Sequence, residues 1–385
     1  MKRISVGLFN DSFPPHIDGV AQVVKNYAGH LCQKDCNVTV VTPENRDAHD
    51  DYPFEVLRYP SIPTTSLIGY RVGVPFDPES LVRLRKKKFD LMHIHAPFAS
   101  SVLVSTLNHH PRVPTVLTYH TRFDIDIEKR VPAAPLRKLA MEFLSRNVHA
   151  VDEIWVVTER CGKALRDIGY EGSYRLMENG TDFPKGVALK EKTDALREQY
   201  GLREDVPVFM FVGRLMWYKN IRIILDSLKI LHEGGQDFRA FIIGEGYDAP
   251  EIETYSNDCG LADKVIFTGP IRDREYLRTF FSVCDLFLFP STYDTCGIVV
   301  KEAAACDCPS LLVEGSCAAE GVVHNVSGFL AEENAVSCAS VMAAAIRDRA
   351  QLKQVGRCAG EQLYLSWDEA VDRAYARYQE ILQKY

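Results

Sequence analysis

The chain has 385 residues, of which 46% are hydrophobic and 25% charged, and its formal net charge is −7. This length exceeds what one hydrophobic core usually organises, so we predict a globular protein of two domains. The negative net charge argues against bulk nucleic-acid binding. Eleven cysteines at irregular spacing, without a paired zinc-finger pattern, favour reduced thiols in a cytosolic protein. The apolar stretches are too short for a transmembrane helix.

Short apolar runs rich in β-branched residues alternate with helical patterns along the chain. This alternation is typical of parallel sheets joined by crossover helices. The predicted strands cover residues 4–9, 38–42, 54–59, 91–95, 115–119, 153–157, 208–212, 240–243, 265–268, 285–289 and 310–313. The predicted helices between them include residues 20–33, 136–147, 221–232, 276–283 and 298–305. The fold class is therefore predicted to be α/β.

The strand pattern stops between residues 184 and 205, which form a charged stretch. We place the domain boundary near 183–187, with an N-terminal domain over 1–185 and a C-terminal domain over 186–365. Residues 366–385 carry an apolar stripe at helical spacing. The pattern alone predicts a terminal helix packed on the second domain.

Two cations follow the predicted strand 208–212. Arg214 and Lys219 would lie at the carboxyl end of that strand, where open α/β sheets bind ligands. Across a turn, the planar fork of Arg214 and the point charge of Lys219 can reach one diphosphate. The alternative is a pair of ordinary surface cations.

Two carboxylates flank the start of the predicted helix 298–305. Seven residues separate Asp294 from Glu302, and Cys296, Gly297 and Ile298 lie between them. Gly297 lets backbone approach a ligand closely, and the first N–H groups of the helix can bind phosphate. A carboxylate accepts two hydroxyl hydrogen bonds, which suits a nucleotide carrying a sugar. The alternative is a capping aspartate and a solvated glutamate.

Three further strand ends carry candidate residues. Gly19 opens a helix after a Pro-Pro loop and resembles a phosphate-binding turn, although the triple-glycine fingerprint of NAD and FAD sites is missing. Gly244 follows strand 240–243 in a Gly-Glu-Gly turn. His120 is a candidate for the reacting centre, by hydrogen bond or proton transfer, or a structural histidine. His93 and His95 share a strand face, but no third ligand at recognisable spacing supports a metal site.

Two segments combine basic and apolar residues. The run 83–88 is interpreted as a solvated helix end. In the stretch 129–146, Leu136, Leu139 and Phe143 belong to an apolar stripe flanked by cations. Such a stripe packs in a core or contacts an anionic membrane. For the helix itself we favour core packing.

These motifs, in this order, resemble the retaining glycosyltransferases of family 4, which have the GT-B architecture. The resemblance covers nearly the whole chain and rests on the segments at 14–20, 119–121, 178–182, 212–220, 244–246 and 290–306. It implies two Rossmann-like, doubly wound parallel-sheet domains that face each other across a cleft. The second domain would bind most of the donor and the first domain the acceptor. The last helix would return to the N-terminal domain, which revises the packing predicted above.

By position, the resemblance assigns Arg214 and Lys219 to the donor diphosphate and Glu302 to the ribose. Gly19 would line the phosphate end of the cleft, and His120 would lie beside the transferred sugar. The donor site would also include the turn and helix-start residues Gly244, Asp294, Cys296, Gly297 and Ile298. Asp294 stands where the family usually has glutamate, and Thr295-Cys296-Gly297 replaces Gly-Phe-Gly. Both departures leave the donor sugar open.

The family transfers a hexose from a UDP- or GDP-sugar to a hydroxyl with retention at the anomeric carbon. His120, Arg214, Lys219 and Asp294 are the catalytic candidates. Because cations and helix N–H groups stabilise the departing diphosphate, we expect neither metal nor cofactor to be required. For the acceptor we favour a lipid or lipid-linked glycan, with peripheral contact at the inner membrane face.

Two other functions remain as alternatives. A GT-B sugar-nucleotide epimerase would share the cleft but needs acid and base groups, and no carboxylate pair is clearly placed for them. A non-catalytic sugar-nucleotide-binding module is the second alternative. The presence of Arg214, Lys219 and Glu302 argues against it.

Overall fold

The computed structural model describes residues 3–16, 18–64, 71–108, 112–123, 125, 127, 131 and 133–385. The chain divides into two compact units. The first contains Met1–Asn179 with Trp367–Tyr385, and the second contains Gly180–Ser366. The division thus falls a few residues before the boundary predicted at 185/186.

The segment just after the division is bonded into the second unit. The backbone N–H of Thr181 donates to the carbonyl of Leu365 at 2.8 Å. The carboxylate of Asp182 accepts hydrogen bonds from Arg274. These contacts link residues far apart in sequence, so the local pattern of charges could not locate the boundary to the residue.

The first unit is built on a parallel sheet. Its elements in chain order are β1 (Ile4–Phe9), α1 (Gly19–Cys32), β2 (Cys36–Pro43), β3 (Glu55–Tyr59), β4 (Ser61–Pro63), β5 (Arg71–Gly73), α2 (Pro78–Arg85), β6 (Leu91–Ile94), α3 (Ala99–Leu107), β7 (Thr115–Tyr119), α4 (Ala134–His149), β8 (Glu153–Val156), α5 (Glu159–Asp167) and β9 (Tyr174–Leu176). The strand order is β3-β2-β1-β6-β7-β8-β9, and β4 with β5 forms a separate antiparallel pair. The order reverses between β1 and β6, which is where doubly wound sheets bind ligands.

The second unit repeats the same plan. Its elements are α6 (Lys190–Gln199), β10 (Val208–Val212), a 3-10 turn (Trp217–Lys219), α7 (Ile221–Glu233), β11 (Arg239–Ile243), α8 (Ala249–Asp258), β12 (Val265–Gly269), α9 (Arg274–Val283), β13 (Leu286–Phe289), α10 (Ile298–Ala305), β14 (Ser310–Val313), a 3-10 turn (Cys317–Ala319), β15 (Phe329–Ala331), α11 (Ala335–Arg347) and α12 (Arg349–Gln362). All pairings in the order β12-β11-β10-β13-β14-β15 are parallel. The predicted α/β fold of two Rossmann-like parallel-sheet domains is confirmed.

The central strands of the second sheet read as continuous apolar runs, such as Val-Phe-Met-Phe-Val in β10. Helices cover both faces of a parallel sheet, so alternating polar positions would be buried and costly. Phe209, Phe211, Phe241 and Phe287 are accordingly fully buried. The switch in strand order between β10 and β13 brings the loops after these two strands to one edge.

The last helix, α13 (Trp367–Leu382), lies in the first unit, as the resemblance implied. The hydroxyl of Tyr378 hydrogen-bonds the Nδ1 atom of His93 at 2.5 Å inside the unit. Arg377 forms an ion pair with Glu153 beside β8. The packing on the second domain that the apolar stripe alone had suggested is therefore wrong.

Helix α4 corrects another prediction. Leu144 is buried, but Leu136 is 57% and Leu139 62% exposed, and Phe143 is also exposed. The core packing favoured for this stripe is therefore wrong for these residues. Lys129 and Arg130, at the start of the predicted basic stretch, lie outside the described residues. Within the described part of the chain, no helix is both long and apolar enough to span a bilayer.

Candidate active site

The candidate site is built from loops that follow adjacent parallel strands. In the loop after β11, Gly244 has φ 141°, and a Cβ there would lie 1.9 Å from the carbonyl oxygen of Gly213 after β10. A Cβ on Gly246 would lie 2.2 Å from the Leu215 carbonyl. The N–H of Leu215 also donates to the backbone carbonyl of Glu245 at 2.9 Å. Only glycine allows these two loops to interlock, so Gly244 shapes the backbone around Arg214.

Lys219 is a buried cation rather than a surface one. Its side chain is 8% exposed, and Nζ donates to Oδ1 of Asp294 at 2.5 Å. The rings of Tyr218 and Tyr293 each lie 5.7 Å from Nζ. The ion pair joins the loop after β10 to the loop after β13. Lys219, predicted to bind phosphate, and Asp294, predicted to bind the sugar, thus form one ion pair.

Asp294 can accept further hydrogen bonds after this contact. Its Oδ2 atom is buried and accepts no hydrogen bond from the described residues. An ammonium group has three donors, so Lys219 can bind Asp294 and an anion together. Arg214 is exposed and lies five residues before Lys219 on the same loop. The alternative of two ordinary surface cations does not describe Lys219.

A polar latch holds these two loops together. The side-chain amide of Asn220 donates to the carbonyl of Pro290 at 2.9 Å and to Glu333 at 2.7 Å. The Thr292 hydroxyl donates to the same Glu333 carboxylate at 2.9 Å. Asn220 adopts a left-handed conformation with φ 60°, which asparagine tolerates better than most residues. The latch fixes the spacing between Lys219 and Asp294, and sequence reasoning missed Glu333.

Helix α10 begins beside Asp294. Gly297 caps it with φ 59°, and a Cβ there would lie 3.1 Å from Ala318 and 3.2 Å from Phe289. Cys296 and Ile298, on either side, are partly exposed. A helix start carries N–H groups without helical partners and a partial positive charge. Asp294, Gly297 and the first turn of α10 therefore lie side by side, and phosphate binding at this helix start stays a prediction.

Glu302 lies on α10 but faces a different partner. It is 6% exposed, and its Oε1 atom accepts a hydrogen bond from Nη2 of Arg274 at 2.6 Å. Its Oε2 atom is buried and accepts no hydrogen bond from the described residues. Burial raises the pKa of Glu302 above its usual value, and Arg274 offsets part of this rise. The solvated glutamate considered as an alternative is wrong.

Arg274 is a second site residue that sequence reasoning missed. Its guanidinium also binds both carboxylate oxygens of Asp182, at 3.0 and 2.5 Å, and lies 4.4 Å from the Phe183 ring centre. The sequence signal that could have identified Arg274 is its position at the start of a helix that follows strand β12. Asp182 belonged to a motif already noted, but its partner is 92 residues away.

Two predicted residues belong to the first unit. Gly19 is the first residue of α1, next to the capping Asp18, whose carboxylate accepts from the N–H of Ala21 at 2.7 Å. Apart from its chain neighbours and the backbone of its own helix, no described residue has an atom within 4 Å of a Cβ built on Gly19. Packing inside the unit therefore does not require glycine there.

His120 lies in a buried group of histidines. Its Nε2 atom is 2.9 Å from Nδ1 of His95, and the two rings stack at 5.2 Å. His93 bonds Thr118 at 2.6 Å and Tyr378 at 2.5 Å. Burial lowers the pKa of His120 to about 3, so the ring is neutral near pH 7. A neutral ring with this pKa fits a hydrogen-bonding role better than proton transfer.

The histidine group gives no support to a metal site. Both ring nitrogens of His93 already have protein partners. Among the described residues, no cluster of three or more histidine, cysteine, aspartate or glutamate side chains is arranged to hold a metal ion.

Comparison with known proteins finds family matches in both halves of the chain. The family profile described as Glycosyltransferase Family 4 matches residues 17–183, and that of Glycosyl transferases group 1 matches residues 192–361. Alpha-monoglucosyldiacylglycerol synthase of Acholeplasma laidlawii is 27% identical over 320 residues, covering 80% of this chain and 79% of that protein. GDP-mannose-dependent alpha-mannosyltransferase of Corynebacterium glutamicum is 24% identical over 335 residues, covering 86% and 77%.

A solved structure extends the likeness to the whole fold. Sucrose-phosphate synthase from Thermosynechococcus elongatus matches 100% of both chains with a TM-score of 0.82 and 19% identity. The two family profiles together cover most of the chain, and the strand-end loops that they include carry the site described above. The chain belongs to the family 4, group 1 glycosyltransferases of GT-B architecture, enzymes that transfer sugars from nucleotide sugars.

Proposed function

We propose that this protein is a retaining, metal-independent hexosyltransferase that uses a UDP- or GDP-sugar and a lipid or lipid-linked glycan acceptor. One observation carries the donor assignment. Asp294 and Glu302 lie before and inside the first turns of α10, and each keeps one buried oxygen without a hydrogen bond from the described residues. Buried carboxylate oxygens need donors, and sugar and ribose hydroxyls supply them.

The diphosphate would bind beside these carboxylates, at the two cations and the start of α10. Lys219 supplies a desolvated positive charge that Asp294 holds in place, and Arg214 supplies a second cation from the same loop. The N-terminus of α10 adds backbone N–H donors at Gly297 and Ile298. Because Asp294 binds Lys219 directly, it would fix the phosphate-binding cation as well as contact the sugar.

In the proposed reaction, the bond between the anomeric carbon and the phosphate oxygen breaks as the acceptor oxygen attacks the same face. The electron pair of the broken bond stays on the diphosphate, which takes the acceptor proton. Lys219, Arg214 and the helix start stabilise the developing charge, each contact contributing about 2–4 kcal/mol in the transition state. His120, which is neutral, would hydrogen-bond the transferred sugar.

The surface of α4 supports a lipid acceptor. Leu136, Leu139 and Phe143 are exposed, with Lys138 and Arg146 exposed on the same helix. Apolar side chains beside cations are typical of helices that lie in the interface of an anionic membrane. The Acholeplasma relative is named for the synthesis of a diacylglycerol glycolipid. We therefore place the protein at the inner membrane face, bound peripherally.

The donor assignment is tested by thermal stabilisation with UDP, GDP and their glucose and mannose derivatives. We expect one nucleotide series to raise the melting temperature of the wild type, and to lose this effect in Lys219→Met. A radiolabelled donor then distinguishes the three functions. Label in a glycosylated acceptor supports transfer, label in an epimeric sugar nucleotide supports an epimerase, and neither product supports a binding module.

The membrane proposal is tested by flotation with liposomes of phosphatidylglycerol or of phosphatidylcholine alone. We expect binding to the anionic liposomes at low salt, and weaker binding at high salt. Leu139→Ser combined with Phe143→Ser should abolish it, whereas Val336→Ser, an exposed valine of the second unit, should not. Wild-type protein that stays unbound to anionic liposomes at low salt would remove the membrane contact and favour a soluble acceptor.

A further inference from the structure

Arg274 is a charged residue of the second unit that the proposed reaction does not use, although it contacts the buried Glu302. It lies in the first turn of α9, and the three groups around it come from three segments: Asp182 and Phe183 after the unit boundary, and Glu302 on α10. The planar guanidinium of arginine is suited both to a bidentate contact with a carboxylate and to stacking on an aromatic ring. This arrangement holds the guanidinium in one orientation.

The hydrogen bonds of Arg274 connect Asp182 to the Oε1 atom of Glu302. Nε and Nη2 bind the two oxygens of Asp182, and Nη2 also donates to Oε1 of Glu302 at 2.6 Å. Asp182 is 42% exposed along its side chain, whereas Glu302 is 7% exposed. The network therefore extends from a solvated carboxylate to a buried one. Its buried end is the carboxylate whose second oxygen, Oε2, has no hydrogen-bond donor among the described residues.

We propose that Arg274 is a positioning residue, oriented by Asp182, that holds the carboxylate of Glu302 through its Oε1 atom and turns its Oε2 atom to the ribose hydroxyls of the donor. The inference rests on the proposed function, because it assumes that Glu302 binds ribose. It adds a distinct role: Arg274 acts on the nucleotide through Glu302. If Arg274 instead occupied the ribose position, it would oppose nucleotide binding. Replacing it would then strengthen donor binding, whereas the proposed positioning role predicts that replacing it weakens donor binding.

Because charged groups face Glu302, the positioning role of Arg274 can be tested through the pH dependence of donor binding. Burial, the largest effect, and Asp182 oppose the ionised form of Glu302, and Arg274 favours it. The thiol of Cys306, which also interacts with Glu302, is neutral because burial raises its pKa to about 12. Removing Arg274 leaves only the opposing groups. The carboxyl of Glu302 would then be protonated at a higher pH than in the wild type, and a protonated carboxyl accepts fewer hydroxyl hydrogen bonds.

The experiment is calorimetric titration of UDP-glucose and GDP-mannose, whose diphosphates do not titrate between pH 5.5 and pH 8 because both ends are esterified. At pH 8, Arg274→Met should weaken binding about tenfold, the typical effect of losing a charge-assisted contact. The ratio of the Kd of the variant to that of the wild type should grow as the pH falls to 5.5. Arg274→Lys keeps the positive charge but not the planar fork, so its Kd should lie between those of the wild type and of Arg274→Met.

Two further variants complete the test. Asp182→Asn removes one anchor and keeps the cation, so it should weaken binding by about threefold and serves if Arg274→Met does not fold. Arg203→Met, which breaks an exposed ion pair with Asp205, is the matched control and should leave Kd unchanged. The inference is overturned if Arg274→Met or Asp182→Asn binds the donor as the wild type does at every pH, or more tightly. A wild type that binds neither donor contradicts the proposed function itself.

Discussion

The ion pair between Lys219 and Asp294 makes a quantitative prediction about stability. Removing one partner of a buried pair costs about 3–5 kcal/mol, since the other charge is left without compensation. The side chain of Asp294 is 23% exposed, so solvent recovers part of that loss. We therefore expect Lys219→Met to reduce the free energy of unfolding by about 2–3 kcal/mol.

The double variant isolates the interaction. Asp294→Asn alone should cost about 2 kcal/mol, because Lys219 remains buried with a neutral partner. In Lys219→Met/Asp294→Asn no charge remains to be stranded, so the loss should stay near 2–3 kcal/mol instead of the sum of the two. Lys229→Met, which breaks an exposed pair with Glu233 at 3.9 Å, should cost close to zero.

The assay is urea unfolding followed by tryptophan fluorescence and far-UV circular dichroism. Of the three tryptophans in the sequence, Trp217 lies in the second unit, two residues before Lys219, so its emission reports on the unit that contains the pair. Comparing both signals shows whether the units unfold separately. Losses in the two single variants that add up in the double variant, within about 0.5 kcal/mol, would refute the ion-pair reasoning.

Four shorter predictions follow from the same geometry. Arg214→Ala should slow transfer about a hundredfold or more with little change in melting temperature; wild-type turnover would remove it from the diphosphate site. Glu302→Ala should weaken free nucleoside diphosphate binding in calorimetry more than Asp294→Ala, which leaves Lys219 in the site and should mainly slow transfer; equal losses of diphosphate affinity would reject this division. Activity should persist in excess EDTA, and a loss restored by magnesium or manganese would contradict a metal-independent reaction. Because burial lowers the pKa of His120 to about 3, the unfolded state binds its proton first, so stability should fall from about pH 6.5 towards pH 3; His120→Gln should flatten this fall in urea titrations, and an unchanged slope would contradict it.

Strands and helices with a clear local pattern of apolar residues could be predicted from the sequence. Strands such as β1 and β10 are predicted to the residue, because buried parallel strands are continuous apolar runs bounded by turn residues. Strands β9 and β15 were missed because each has three residues, too few to show a period. Helix α6 lies in the charged stretch 184–205 and buries only Leu196, so its apolar face is hardly visible in the sequence.

The candidate site divides in the same way. Lys219, Asp294, Gly297 and Glu302 were found because each lies near a strand end or a helix start, which is a local signal. The pairing of Lys219 with Asp294 and of Glu302 with Arg274 was not predicted, because the first contact joins residues 75 positions apart and the second residues 28 positions apart. The exposure of α4 was also misjudged: an apolar stripe at helical spacing predicts that a helix has an apolar face, and not what covers it.

The most direct test of the proposed function is the anomeric configuration of the product. The enzyme would be incubated with the α-linked sugar nucleotide that stabilises it and with a diacylglycerol acceptor in anionic vesicles, and the purified product analysed by proton NMR. We predict an α-linked glycoside, with the small anomeric coupling constant of that configuration in a gluco-configured sugar, and its loss in Lys219→Met. A β-linked product would contradict retention, and recovery of an epimerised sugar nucleotide in place of any glycoside would contradict transfer.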